Sequence, residues 1–285
     1  MKAARHFRIH NERDVLRRFQ GQTATLRPLV DEIEIEDPAD PPPAIVLRYL
    51  EDDLLHAAAA AAAAAASAKK LSKLEIKYAA KRILEALDVL HCNGYVHTDI
   101  KPSNILVNYD GEVKDGLKDG NRFADVQVAD LGSTVRADSG HARDGDAIGT
   151  PIFRSPEATL RLPWNTATDI WSFGATLLSM LFGDIHIFKP MVSMDHEDYE
   201  REILRRMHVF FGPYPLTYQE FASESALALL ADVMESVPQT ARKPFHMLRD
   251  KELTVEDKAF LLKIMKLDPR DRPTAGQLRR DEWFT

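Results

Sequence analysis

His97-Thr98-Asp99-Ile100-Lys101-Pro102-Ser103-Asn104 is the stretch whose reading decides the fold. Within one short loop it presents a carboxylate, an ammonium and an amide in fixed order behind a histidine. A polar turn before a strand accounts for Asp, Pro and Asn one at a time. It does not account for all three together with His97 and Lys101. Downstream, Asp130-Leu131-Gly132 follows the β-prone run Val126-Gln127-Val128-Ala129 and places a second carboxylate on a later turn.

Outward from the loop, Leu74, Tyr78, Ile83, Leu84, Leu87 and Leu90 recur at helical spacing up to a stop at Asn93-Gly94. This predicts a long helix with one buried face. Ile105-Leu106-Val107 and Val126-Gln127-Val128 read as short strands joined by a long polar hairpin loop, Asn108 to Asp125. Beyond about Thr166 helices dominate, and the run Ile170 to Phe182 is apolar enough to be buried on all sides. Toward the other end, Val15, Leu16 and Phe19 suggest a helix. Ile45-Val46-Leu47 and Tyr49-Leu50 are β-prone after the break Pro41-Pro42-Pro43. The alanine tract Ala57–Ala66 forms helix readily but carries no side chain that binds or catalyses, so it reads as an inserted helical spacer.

Composition bounds the classes. The 285 residues are enough for one large domain or two lobes, and 45% hydrophobic against 28% charged residues is ordinary for a folded globular chain. A formal charge of −7 offers no electrostatic footprint for nucleic acid or an anionic membrane. Neither a secretory leader nor an apolar run of about 20 residues is found, and the single cysteine, Cys92, has no partner for an internal disulfide. The expectation is an intracellular protein, nuclear or cytoplasmic, in which Cys92 is a thiol packed on a helix.

The loop His97–Asn104 resembles the catalytic loop of the eukaryotic-type protein kinases, H-R-D-L-x-x-x-x-N. The resemblance implies an α+β, bilobal fold with a small amino-terminal lobe and a mainly helical carboxy-terminal lobe, and ATP lying between them. It implies that Asp99 orients a substrate hydroxyl and accepts its proton, that Lys101 steadies the γ-phosphate, and that Asn104 and Asp130 hold Mg²⁺. Lysine two positions after the aspartate is the pattern of kinases that act on serine and threonine of protein substrates. Gly149-Thr150-Pro151 through Ser155-Pro156-Glu157 is similar to the end of an activation segment, and Asp169-Ile170-Trp171-Ser172-Phe173-Gly174 to the start of the central buried helix. On this likeness Thr150 hydrogen-bonds near Asp99 and Lys101, and Glu157 forms a buried ion pair with Arg272. Asp169 accepts hydrogen bonds from the catalytic-loop backbone. Those platform motifs argue against a small-molecule phosphotransferase.

The chain departs from the pattern in two places. Thr98 stands where the family has the arginine that clamps a phosphorylated activation loop, which implies control by other means, with Ser133, Thr134 and Ser139 as candidate acceptors. His-Thr-Asp-Ile-Lys-Pro with Ala-Asp-Leu-Gly is similar to the SR-protein kinases. Upstream, the first glycine is Gly21, so no G-x-G-x-x-G loop precedes the first helix. Residues 1–50 therefore read as a truncated small lobe with the interlobe linker, residues 51–285 as the large lobe, and a pseudokinase or interaction module as the rival function. Lys2 is matched to the lysine that anchors ATP and Glu12 to its helical partner. In the linker, backbone groups of Arg48 and Leu50 are expected to face adenine, and Asp53 to approach the ribose. The acidic runs Glu51–Asp53 and Asp195–Asp198 read as solvated faces or attractors of a basic substrate. No regulatory partner is identified.

Overall fold

The computed structural model describes residues 1–3, 6–33, 43–63, 71–110, 121–183, 186–248 and 253–285. A small lobe is built from β1 (Lys2–Ala3), α1 (Phe7–Phe19), β2 (Leu29–Ile33) and β3 (Ala44–Leu47). The three strands form an antiparallel sheet in the order β1-β3-β2, with Lys2 opposite Ile45 and Leu29 opposite Leu47. The helical spacing expected of Val15, Leu16 and Phe19 is real, and all three are buried on the face of α1 that meets the core. Tyr49-Leu50 lies beyond the strand: Tyr49 is exposed and Leu50 is buried. A short stretch joins β3 to β4 (Asp52–Asp53), which pairs with the large lobe.

Helices make up most of the large lobe. After α2 (Leu54–Ala63), α3 (Lys73–Cys92) begins at a capping box, in which Ser72 Oγ accepts from the Glu75 amide (3.1 Å) and Glu75 Oε2 accepts from the Ser72 amide (2.7 Å). Its apolar face, Ile76, Ile83, Leu84, Leu87 and Leu90, is fully enclosed. Two strands, β6 (Ile105–Tyr109) and β7 (Phe123–Val128), form the expected antiparallel hairpin, and most of its loop, 111–120, lies outside the described residues. Beside them β5 (Tyr95–Val96) pairs with β8 (Val135–Arg136). The central helix α6 (Ala167–Phe182) is buried from Thr168 to Phe182, which explains its apolar sequence, and it stops at Gly183, whose φ of 70° is left-handed. Around it stand α7 (Tyr199–Phe211), α8 (Glu224–Glu235), α9 (Val255–Ile264) and three short helices: α4 (Gly140–Arg143), α5 (Pro156–Thr159) and α10 (Ala275–Leu278). No helix among the described residues is long and apolar enough to cross a membrane.

Two expectations are corrected. The opening of the alanine tract does not stand off as a spacer, because Leu54, Ala57 and Ala58 of α2 are buried in the common core. The small alanine side chain lets the helix lie close to its neighbours there; residues 64–70 lie outside the described residues. Cys92 does not pack inward. It is exposed at the last position of α3, with its thiol 3.6 Å from Asp88 Oδ1.

Candidate active site

Four segments meet at the cleft: β1, α1, the catalytic loop after β5, and the turn after β7. Asp169, fully buried at the start of α6, holds the catalytic loop from beneath. Its Oδ2 accepts from the His97 amide (2.7 Å) and from His91 Nε2 (2.9 Å), and its Oδ1 accepts from the Thr98 amide (2.9 Å). The ring of His97 is fixed from both sides. Its Nε2 donates to the Ala129 carbonyl (3.0 Å) and its Nδ1 accepts from the Asp99 amide (3.2 Å), which defines one neutral tautomer. Thr98 is forced to a φ of 75°, a left-handed conformation that a β-branched residue seldom adopts. That turn aims Asp99 outward.

The Asp99 carboxylate is enclosed by donors. Oδ1 accepts from the Thr150 amide and hydroxyl, both at 3.0 Å, while Oδ2 accepts from Lys101 Nζ (2.7 Å) and Asn104 Nδ2 (3.2 Å). Lys101 Nζ also donates to Thr150 Oγ1 at 2.9 Å. Asn104 Nδ2 makes a second bond, to the Asp99 carbonyl at 2.8 Å, so the amide oxygen is the atom offered to a cation. Gly149 allows this closure: at φ 58° its absent Cβ would sit 2.5 Å from the Thr98 carbonyl oxygen.

Across the cleft, Lys2 Nζ donates to Glu12 Oε2 at 2.6 Å and to Asp130 Oδ1 at 2.7 Å. Burial disfavours the lysine charge, but its hydrogen bonds to Asp130 and Glu12 outweigh that and hold its pKa above the ordinary lysine value. The converse holds at Asp130. Burial would raise the carboxyl, and the hydrogen bond and charge of Lys2 hold it below the usual carboxylate range instead. Asp130 sits at φ 60° on the turn after β7 and is still 46% exposed, whereas Leu131 next to it is buried and fills the inward position. Asp99, Asp130 and Glu12 against Lys2 and Lys101 leave three carboxylates to two ammonium groups. Such a donor set, with the Asn104 amide oxygen, suits a hard divalent cation.

The linker positions differ from expectation. The Arg48 amide donates to the Pro28 carbonyl (3.0 Å) and the Arg48 carbonyl accepts from Arg27 Nε (2.7 Å), so the amide is spent inside the small lobe and is not presented to a base. Asp53 is spent as well. Its two oxygens take the His56 amide (2.9 Å) and His56 Nδ1 (2.8 Å), capping α2 where a ribose contact was expected. Leu50 is buried in the linker. The neighbouring acids are also engaged internally, Glu51 by the Tyr109 amide and Asp52 by the Tyr109 hydroxyl, both at 2.8 Å.

A model of the protein kinase domain matches residues 8–284. The chain belongs to the protein kinase family. Human serine/threonine-protein kinase PAK 4 is 31% identical over 127 residues, covering 44% of this kinase and 19% of that protein. Human mitogen-activated protein kinase 13 is 29% identical over 216 residues, 75% of this kinase and 52% of the relative, and mouse dual specificity protein kinase CLK4 is 31% identical over 147 residues, 49% and 28%. This kinase thus spans from about a fifth to about half the length of these relatives. Their names come from different branches, so the comparison sets the family and singles out no branch.

Glu157 and Arg272 of the kinase form a bidentate pair at 2.7 and 2.8 Å with both side chains buried, and the guanidinium lies 5.2 Å from the centre of the Trp171 ring. Three further anchors were not legible in the sequence. Asn11 Nδ2 donates to the carbonyls of Gly132 (3.1 Å) and Thr134 (2.8 Å), tying α1 to the turn after Asp130. Arg154 is buried, and donates to the carbonyls of Ile148 and Gly149 and to Glu200. Trp164 closes a small second core with Val96, Ala142 and Ala158, its Nε1 donating to the Asp146 carbonyl at 3.0 Å. Arg154, a charged residue inside a packed run, carried a signal, whereas Asn11 and Trp164 lie among alternating buried and exposed residues and carried none. Of the candidate phosphate acceptors, Thr134 is buried and Ser139 caps α4 by accepting from the Ala142 amide.

Proposed function

We propose that the kinase transfers the γ-phosphate of ATP to a serine or threonine hydroxyl of a protein substrate. The observation that carries this reading is the single network in which Asp99 is held by Lys101, Asn104 and Thr150. Thr150 Oγ1 lies within hydrogen-bond reach of both Asp99 Oδ1 and Lys101 Nζ, so a hydroxyl already occupies the geometry that an acceptor needs. A substrate hydroxyl displacing or joining it would give its proton to Asp99 as the new P–O bond forms and the bond from the γ-phosphorus to the bridging oxygen breaks, ADP leaving with that electron pair, and Lys101 would stabilise the charge on the transferring group. Lys2, steadied by Glu12, would bind phosphate oxygens of the nucleotide. Mg²⁺, which Asp130 and the Asn104 amide oxygen would hold, supplies neutralisation of the phosphate charge.

Regulation follows from Thr98. Its hydroxyl donates to the Ser133 carbonyl at 3.0 Å, linking the catalytic loop to the activation segment without a phosphate. With the Asn11 and Trp164 anchors, this supports a segment ordered in its unmodified form. The deciding experiment is phosphorylation of casein by the purified kinase with radiolabelled ATP, with and without Mg²⁺, alongside Asp99→Asn. Mg²⁺-dependent labelling of serine or threonine that Asp99→Asn abolishes is the expected result. Nucleotide binding with no Asp99-dependent turnover would overturn the reading in favour of an interaction module.

A further inference from the structure

Far from the cleft residues, a cavity of about 850 Å³ opens where the end of α7 and the loop 212–215 face the segment 239–248 and the end of α9. None of its lining residues belongs to the catalytic network. Its floor is apolar, made by Phe211, Phe245, Leu262 and Met265, and Met247 on its wall is 67% exposed. The rim is basic. Arg242, Lys243 and Lys266 line it against two carboxylates, Asp268 and Asp271. Asp268 is already spent: it is buried and accepts from Arg270 and from Thr217 Oγ1. Arg242 is partly engaged, because its Nη2 donates to the Gly212 carbonyl, so two exposed cations, Lys243 and Lys266, stand beside one exposed carboxylate, Asp271, on a chain whose formal charge is −7. Within the wall, Arg242 Nε is buried with no hydrogen-bond partner.

We propose that this groove is a docking site for a short acidic peptide segment of a protein partner, with apolar side chains anchored on the floor and carboxylates paired to the Arg242, Lys243 and Lys266 rim. Charge complementarity selects that occupant, because a basic segment would meet a like-signed rim and an uncharged apolar one would leave the exposed Lys243 and Lys266 unused. The size of the cavity suits a few anchoring side chains. The groove is also joined to the platform. Arg272, the partner of Glu157, donates to the carbonyls of the lining residues Lys266 and Leu267, at 2.8 and 3.2 Å.

The test uses the intact kinase and a fluorescein-labelled peptide in which two leucines are flanked by glutamates, with a second peptide carrying glutamine at the same places. Lys243 and Lys266 are both exposed, so the variant K243E/K266E retains the core. The acidic peptide is expected to bind saturably, to bind about tenfold more weakly (~1.4 kcal/mol) to K243E/K266E, and to bind unchanged to Asp99→Asn. Equal binding of the two peptides, or equal binding to the kinase and K243E/K266E, would overturn the proposal. So would binding to phosphatidylserine vesicles without binding to the peptide, which would make the basic rim a membrane contact. Self-association that K243E/K266E abolishes, again without peptide binding, would assign the groove to a second copy of the chain.

Discussion

At Asp99 the two carboxylate oxygens receive four hydrogen bonds, one from the Thr150 backbone amide and three from the side chains of Lys101, Asn104 and Thr150. Asp99→Asn removes the proposed proton acceptor, and turnover is expected to fall by about 10²–10⁴-fold with little change in the affinity for nucleotide, as read by steady-state kinetics beside nucleotide titration. Thr150→Val keeps the shape but loses the hydroxyl's contacts with Asp99 and Lys101, and a roughly ten- to hundredfold loss in kcat, the equivalent of about one charge-assisted bond, is expected, with Thr150→Ser restoring most of it. Gly149→Ala brings a methyl group against the Thr98 carbonyl and within 3.4 Å of Asp99. A displacement of about 1 Å at the reacting group costs on the order of a hundredfold in rate, which the same assay measures. The grouping of Asp99 with Lys101 and Asn104 was legible because the three are neighbours in sequence. The internal partners of Arg48 and Asp53 were not legible, because a linker motif does not say which nearby donor or helix end will engage a polar group first.

Between elements, the cleft depends on α1, which has no covalent tie to the activation segment and meets it through Asn11 and the Lys2 bridge. The pH dependence of that bridge follows from the two shifts. Asp130 is held below its ordinary 3.8, so its contribution is complete above about that pH and lost as pH falls through the lower folded value. Lys2 is held above 10.5, so its contribution is complete below about that pH and lost as pH rises through the higher folded value. The contact of α1 with the turn after β7 should therefore be constant across the neutral range, and the protection of amides 131–134, taken relative to their intrinsic exchange rates, should fall only at the two extremes; Lys2→Met should abolish both arms. The second core gives a different readout. Trp164→Ala should expose residues 135–148 to limited proteolysis while leaving the main unfolding transition nearly in place, since Trp164 packs with Val96, Ala142 and Ala158 apart from the principal core. Helical periodicity foretold α3, and a continuous apolar run foretold α6. It was blind to this cluster, whose members come from four separated segments with no repeat to mark them.

Over the whole molecule, the two lobes were legible from the order of motifs, whereas the inward face of the alanine tract was not, because alanine is indifferent to burial in sequence terms. Acid stability is a property at this scale. Asp268 is held at about 2 chiefly by its hydrogen bonds to Arg270, and Asp257 is lowered too, burial being outweighed there by its bond to Lys73. Both contribute fully above pH 4, and the stability is expected to decline as pH falls from about 4 toward 2, with Asp268→Asn flattening that arm in urea unfolding curves. Arg272→Met strands Glu157 in the core at a cost of about 3–5 kcal/mol, visible as a large drop in Tm, whereas changing both partners to apolar residues of similar size should recover much of it. The same pair has a consequence in time. Its members are 115 positions apart, so during synthesis the helices from α3 to α6 emerge and pack while the end of the activation segment still lacks its counter-ion. The buried pair is completed only when Arg272 has cleared the ribosome, which delays the final anchoring of the segment around Glu157 until nearly all of the described large lobe exists.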